Sequence, residues 1–596
     1  MRERLRALGV MIATPFRAAP GFATATVVLS AIGYAFTPVF AYAMKLVVDG
    51  VVDGDMRMAA IGVLIMGGGE GLAYAAGTIG IATFRMGMEE RTRLYIERRV
   101  IHLVTSVPGL EHHERPEYLN ELDRLRAERG QLAQPAGPVV FLFATSVTAV
   151  GSLGLLATVH PLLLVLPLFG IPSVMASMRG ERWRIEAWER IAEPERLRTH
   201  LRELVTLPRF AKEVRLFGLE SELIGRESHI GEVNASEVAR AGARGAALTG
   251  AGWLFFAIGY VAAVVFVVLQ AVAGRATIGD VMLALTLAAQ VNAMIASAAS
   301  NGPWLRSVMR VVRRYLWLED YARKAWRPHP DPTGVPDTIR SGIAIDGVSF
   351  RYPGTDADVL QDVSLDLPAG STVAIVGENG AGKTTLIKLL SRFYDPTTGR
   401  ISVDGVDLRR FDHEQWRSRM SAGFQDFAKL ELLARENVGV GELTSMDVPG
   451  AVEDALERAH AMGVMTSLPD GLETQLGKSF DGGVDLSGGE WQKLALGRAM
   501  MRESPLLLVL DEPTASLDAE TEHALFERYA SAARGIAGSS GGITVLVSHR
   551  FSTVRMADLI VVVDGGRVVE HGSHGELMQR DGLYAELYAI QARGYR

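Results

Sequence analysis

The chain has 596 residues, several times the roughly 100–200 of a typical domain, so at least two domains are expected. Its formal net charge of −7 argues against a globally basic nucleic-acid binder. Cysteine is absent, which excludes disulfides, cysteine-ligated zinc, iron–sulfur clusters and a cysteine nucleophile.

The first half is strongly apolar. A helix needs about 20 mostly apolar residues to cross a hydrocarbon core. Residues 21–44 carry no charge and residues 58–84 carry only Glu70. The uncharged stretch 131–178 is too long for one span and has His160-Pro161 near its middle, so it reads as two spans joined by a short outer turn. Residues 246–274 and 281–305 are again uncharged, separated by the short loop 275–280. Six spans are expected. The first apolar run is long enough to span, which predicts no cleaved signal peptide.

Arginines set the orientation. They precede the first span (Arg2, Arg4, Arg6, Arg17) and fill the segments between spans two and three and between spans four and five. Both termini and these two long loops are therefore expected on the cytoplasmic side. Pro108-Gly109 and Leu207-Pro208-Arg209-Phe210 mark breaks where a short transverse helix fits within each loop. Arg306, Arg310, Arg313 and Arg314, just below a span, are read as meeting anionic lipid headgroups rather than nucleic acid. Prolines 328, 330, 332 and 336 then mark a linker. The expected organisation is an all-α polytopic membrane domain at 1–320, a linker at 321–338 and an α/β P-loop ATPase domain at 339–596.

From Ile343 onward short β-branched runs alternate with helical stretches, the pattern of an α/β domain. The apolar run Ser371–Val376 leads into Gly377-Glu378-Asn379-Gly380-Ala381-Gly382-Lys383-Thr384-Thr385 and then an apolar helix. This is a phosphate-binding loop in its strand–loop–helix context. Its glycines let successive amides face phosphate oxygens, Lys383 brings charge to the β- and γ-phosphates, and the Thr384 hydroxyl can ligand Mg²⁺. The apolar run Leu506–Leu510 ends in Asp511-Glu512. Asp511 is placed to hold Mg²⁺ directly or through water, and Glu512 to take a proton from an attacking water. Between them, Leu486-Ser487-Gly488-Gly489-Glu490 opens a helix, with Ser487 as N-cap and two glycines exposing amides, a second phosphate-binding helix start.

These motifs together resemble the ABC transporter family across essentially the whole chain. The resemblance makes the segment 486–490 that family's signature motif, which in the family contacts nucleotide held by the partner subunit's phosphate loop, so that two domains sandwich two ATP molecules. It also implies roles that spacing alone does not. Tyr352 would stack on adenine, Gln425 would sense Mg²⁺ and the attacking water, Asp518 would lie in the loop crossing the dimer interface, and His549 would be the switch histidine bonding the γ-phosphate. Six spans ahead of one nucleotide domain resemble the half-transporter exporters, which work as dimers. The ATP-site residues are intact, so a homodimer is expected ahead of a heterodimer. Residues 424–438 and 489–493 look like those of lanthipeptide exporters and their multidrug-like relatives. No leader-trimming peptidase is expected, since nothing precedes the first span and no cysteine is present.

Two positions depart from the family pattern: Glu490 replaces the usual glutamine, and Gln475 in Thr474–Phe480 replaces an acidic residue implied in contact with the partner's cytoplasmic loop. Glu70 sits mid-span, where a charged side chain costs about 2.5–3.5 kcal/mol; it is expected to line the substrate path, to form a structural pair or to be protonated in place. Lys45, near the outer end of span one, is read as structural. His112-His113-Glu114 is read as part of the first loop rather than as a metal site, and His571 and His574 as a structural turn near the C-terminus. The function expected is ATP-driven export by alternating access, of a peptide, a hydrophobic drug or a lipid. The alternatives are import of a siderophore or vitamin-like molecule on the same architecture, and a non-transporting ATP-gated channel or sensor.

Overall fold

The computed structural model describes residues 2–128, 137–325, 329–512, 535, 538, 540–548 and 554–594. It divides into two compact units: Met1–Val104 with Glu121–Tyr321, and Thr105–Asn120 with Ala322–Arg596.

The first unit is helical. After α1 (Arg2–Ala18) come α2 (Pro20–Val52), α3 (Met56–Ile79) and α4 (Met86–Thr105), the last two joined by a π-helical stretch, Gly80–Arg85. Short helices α5 (Glu111–Glu114) and α6 (Pro116–Ala127) precede α7 (Gly137–Val159). Next are α8 (Ile171–Arg190), α9 (Ala192–Thr206), α10 (Ala211–Leu216), α11 (Glu220–Val272) and α12 (Ile278–Ala325). Among the described residues six stretches are long and apolar enough to cross a membrane, as expected. The two proline-marked breaks are each followed by a short helix, α5 and α10. The turn at His160-Pro161 is also present: His160 is extended and its Nδ1 accepts from the Leu162 amide. Span four then opens as a 3₁₀ helix, Pro161–Gly170, which apolarity alone does not announce.

Polar side chains tie the spans together. Pro38 lies inside α2 and has no amide to give the carbonyl four residues earlier. That carbonyl, of Tyr34, accepts instead from the hydroxyl of Thr148 on α7, at 2.8 Å. One turn on, Gln290 of α12 donates to the Thr37 carbonyl and accepts from the Ser152 hydroxyl, each at 2.9 Å. In a membrane no water relieves an unpaired carbonyl, so the Thr148 bond answers a backbone need, and the Gln290 bonds tie α12 to α2 and α7. At the end of α2, Lys45 Nζ pairs with Asp280 Oδ1 at 2.5 Å, and buried Asp49 accepts from the Thr277 hydroxyl and the Gly279 amide. Lys45 therefore holds a structural pair. Below the last span, Arg314 pairs with Glu121 and Glu128, so at least one basic residue of that run is answered by protein carboxylates.

The second unit contains two sheets. The strands are β1 (Gly342–Phe350), β2 (Leu360–Pro368), β3 (Thr372–Val376), β4 (Thr398–Val403), β5 (Val406–Asp407), β6 (Met420–Gly423), β7 (Leu507–Asp511), β8 (Ile543–Val547), β9 (Leu559–Asp564) and β10 (Arg567–Gly572). A four-stranded antiparallel sheet has the order β2-β1-β4-β5. A six-stranded sheet runs β10-β9-β3-β8-β7-β6, parallel except for β10. Strands β3, β7 and β8 are almost wholly buried, which explains why they read as continuous apolar runs rather than alternating ones. One core joins the two sheets around Trp416, and a second, around Trp491, packs helices 434–500 onto the face of the larger sheet at Leu508, Leu510 and Leu546.

Candidate functional site

The site forms at the C-terminal ends of β3 and β7, where an open α/β sheet leaves a crevice. From β3 the chain passes through Gly377 into helix α13 (Lys383–Leu390). Gly377 has φ +152°, and a Cβ there would stand 2.1 Å from the Val563 carbonyl oxygen, so only glycine fits. The first amides of α13 have no acceptor inside the helix and face outward as donors. Lys383 is buried, its ammonium donating to the carbonyls of Gly377 and Glu378, both at 2.9 Å. Burial pushes the Lys383 ammonium below its ordinary value, partly opposed by the carboxylates of Glu512 and Asp511.

From β7, Asp511 and Glu512 meet this loop. The Thr384 hydroxyl lies 3.4 Å from Asp511 Oδ2. Burial, and then the neighbouring charge of Glu512, push the Asp511 carboxyl up to about 6. Such a carboxyl gains from a cation beside it, and its spacing to the hydroxyl leaves the two oxygens as a ready pair of hard ligands. Glu512 takes the left-handed backbone conformation, φ +48°, and its amide donates to the Val547 carbonyl at 2.9 Å. A non-glycine residue in that region costs about 1 kcal/mol or more; here it turns the carboxylate toward Gln425, whose Nε2 donates to Glu512 Oε2 at 3.0 Å. Asn379, Gly380, Lys383, Thr384, Asp511 and Glu512 line one cavity of about 330 Å³ with Gln425 and Thr385.

The Tyr352 hydroxyl sits 3.1 Å from the Thr385 hydroxyl, which tethers the aromatic ring beside the start of α13. Ser487, Gly488 and Gly489 lie apart from the cavity lining, at the start of helix α14 (Gly488–Met500). There Ser487 caps the helix and Glu490 closes a capping box, its carboxylate accepting from the Ser487 amide and hydroxyl at 2.8 and 2.7 Å. Those bonds hold the Glu490 carboxyl below its ordinary range, as in any capping box closed by a glutamate. Gln475 turns inward, donating to the carbonyls of Glu431 and Leu476. Asp518 and His549 lie outside the described residues.

Three residues of this unit make contacts that the sequence reading did not foresee. Glu114, of the first loop, accepts from Lys388 Nζ at 2.7 Å and from the Tyr394 hydroxyl. Lys388 in turn lies over the Tyr352 ring, 5.2 Å from its centroid, and the Tyr352 and Tyr394 rings meet edge-on at 5.4 Å. The Leu110 amide donates to the Phe393 carbonyl and Arg417 donates to the Pro108 carbonyl, so backbone bonds fix the same segment. Glu114 is thus committed to Lys388 and Tyr394, and among the described residues no group of three His, Cys, Asp or Glu is placed to hold a metal. Lys388 and Tyr394 stand outside the phosphate-loop motif, and no sequence signal marks them. His574 bonds the Tyr584 hydroxyl at 2.8 Å, a structural contact.

A nucleotide-binding fold with a phosphate loop, fused to six apolar helices, defines an ATP-driven membrane machine. Residues 360–515 match the family profile described as ABC transporter. An ATP-dependent lipid A-core flippase of Chromobacterium violaceum is 32% identical over 447 residues, 74% of this chain and 73% of that one. A protein of the same name from Alkalilimnicola ehrlichii is 39% identical over 268 residues, 45% of this chain and 44% of that one. A solved bacterial Atm1-family ABC exporter with ATP bound shares the fold, with a TM-score of 0.76 at 24% identity over 96% of this chain and 99% of that one. The chain belongs to the ABC transporters. It is an ATP-binding, multi-pass membrane protein and an ATPase coupled to transport.

Proposed function

We propose that the chain exports an amphipathic or hydrophobic cargo across the cytoplasmic membrane, as a homodimer of half-transporters with both termini and the ATPase domain in the cytoplasm. A lipid is among the cargos, in keeping with the names of the two flippases above. Domain limits of 1–320 and 339–596, joined by the proline-rich linker, describe this division of labour. The observation that carries the reading is the convergence of Lys383, Thr384, Gln425, Asp511 and Glu512 on one cavity while Ser487–Gly489 stay out of its lining. A phosphate-binding helix start that does not serve its own cavity is well placed to serve a second copy's.

In this reading the amides of 379–385 and the Lys383 ammonium hold the phosphates, and Tyr352 stacks on adenine. Thr384 and Asp511 would hold Mg²⁺, with Gln425 nearby; when bound, the ion neutralises phosphate charge. Glu512 takes the proton of the attacking water and Gln425 orients its carboxylate. Asp518 and His549 complete the site as the family resemblance implies. Swinging a two-state equilibrium from 1:99 to 99:1 takes about 5.5 kcal/mol of differential binding. Two triphosphates, each gripped from both sides, are a sufficient source. The loop segment 105–120, packed on the nucleotide unit, carries the closure toward spans two and three through the chain itself.

The test is transport by the full chain in liposomes with the ATPase domain facing outward. ATP-dependent accumulation of a fluorescent lipid or hydrophobic dye inside the vesicles is expected, and ATP-dependent depletion would indicate import instead.

A further inference from the structure

The carboxylate of Glu70 lies within the second candidate span. It lines an open-sided cavity of about 560 Å³ with Phe36, Phe40, Tyr74, Thr37 and Gln290, a volume in the range of small-molecule sites. It makes no hydrogen bond or ion pair among the described residues. The aromatic wall is built into the backbone: a Cβ on Gly69 would stand 1.9 Å from the Phe36 ring, so that ring rests directly on the glycine preceding Glu70. Phe36 and Phe40 meet edge-on, with centroids 6.4 Å apart.

A neighbouring cavity of about 340 Å³ shares Gly33, Thr37, Ala73 and Gly77 with this one and includes Arg85. Arg85 is already paired with Glu89 at 2.9 Å and lies fifteen residues along the helix from Glu70, about 20 Å at helical rise. The charge left unbalanced in the crevice, among the described residues, is that of Glu70.

We propose that this cavity binds a lipophilic organic cation, an apolar body bearing one positive centre, with Glu70 as its counter-charge; the inference rests on the transport reading above. Aromatic faces attract a desolvated cation through their quadrupole, and the Glu70 carboxylate on the same cavity lining adds a direct charge attraction. A metal ion would need several oxygen ligands, which Phe36, Phe40 and Tyr74 do not offer as a set. An anionic headgroup at this position would face the Glu70 carboxylate.

The probe pair is tetraphenylphosphonium and its isosteric anion, tetraphenylborate, measured by equilibrium binding to the full chain in lipid nanodiscs without ATP. Protein-free discs subtract partitioning into lipid. Saturable, protein-dependent binding of the phosphonium is expected, retained in Glu70→Asp and weakened about tenfold or more in Glu70→Gln, with no such component for the borate. Borate binding as tight as the phosphonium's, or phosphonium binding unchanged in Glu70→Gln, would overturn the proposal. If Glu70→Gln does not fold, the two isosteres on the wild-type chain decide it alone. Selective phosphonium binding without ATP-driven transport would count against the transport reading and leave the site standing; ATP-driven transport without phosphonium preference would count against the site alone.

Discussion

The Glu114 carboxylate accepts a 2.7 Å hydrogen bond from the Lys388 ammonium, joining the loop after span two to the helix that begins at Lys383. Lys388 also sits over the ring of Tyr352, whose hydroxyl is bonded to Thr385. The aromatic platform proposed for adenine and the first long loop are thus two contacts apart.

Glu114→Gln is expected to leave ATP hydrolysis near its wild-type rate while lowering cargo moved per ATP. The pair is partly exposed, at 23% and 40%, so its stability contribution is under about 1 kcal/mol. Lys388→Ala should act alike, and the double variant should be little worse than either single. Additive losses would show that the two residues act separately. The check is transport and hydrolysis measured on the same proteoliposomes.

Packing of the segment 105–120 should weaken in acid. Burial, and then the charge of His113, push buried His112 down to about 4. Its imidazole stays neutral in the folded state while the unfolded chain protonates near 6.5, so stability is lost as pH falls from about 6.5 to 4. For Glu114, burial raises the carboxyl, but the bonds from Lys388 and Tyr394 and the Lys388 charge outweigh it and hold it below its ordinary value. Its contribution is present above the unfolded value and lost as pH falls through the lower, folded one. Limited proteolysis of this segment should therefore accelerate between pH 7 and pH 4, and His112→Gln should flatten the upper part of that change.

Tyr352→Ala should raise the KM for ATP about fivefold or more, since stacking a base on an aromatic ring is worth about 1–3 kcal/mol. Tyr352→Phe keeps the ring and loses only the 3.1 Å bond to Thr385, and should stay within a few-fold of wild type. Equal effects of both substitutions would place the contribution in the hydroxyl.

Thr148→Val strands the Tyr34 carbonyl that Pro38 leaves without its helical amide. A loss of about 1 kcal/mol is expected. Pro38→Ala restores the missing amide, so the double variant should recover thermal stability relative to Thr148→Val alone. The readout is thermal unfolding in detergent or nanodiscs.

The spans were legible because twenty-odd uncharged residues in a row have few other uses, and the phosphate loop because glycine spacing, lysine and flanking strand carry one mechanism. Asp511 and Glu512 were legible for a similar reason: a wholly apolar strand ending in two acids has little structural excuse. Glu114–Lys388 was hidden because its partners stand 274 positions apart and neither belongs to a motif. The Gln290 and Thr148 bonds were hidden because lone neutral polar residues barely disturb an apolar pattern, although Pro38 did signal that one carbonyl in α2 needed a donor. The left-handed backbone of Glu512, φ +48°, leaves no trace in composition.

The most direct measurement is ATP hydrolysis by the full chain purified alone into lipid nanodiscs, wild type against Glu512→Gln. The account expects hydrolysis by the wild type and a fall of about 10²-fold or more in the variant, with nucleotide binding retained. Equal rates in the two proteins would contradict it, because the base would then lie elsewhere than at the carboxylate that Gln425 holds.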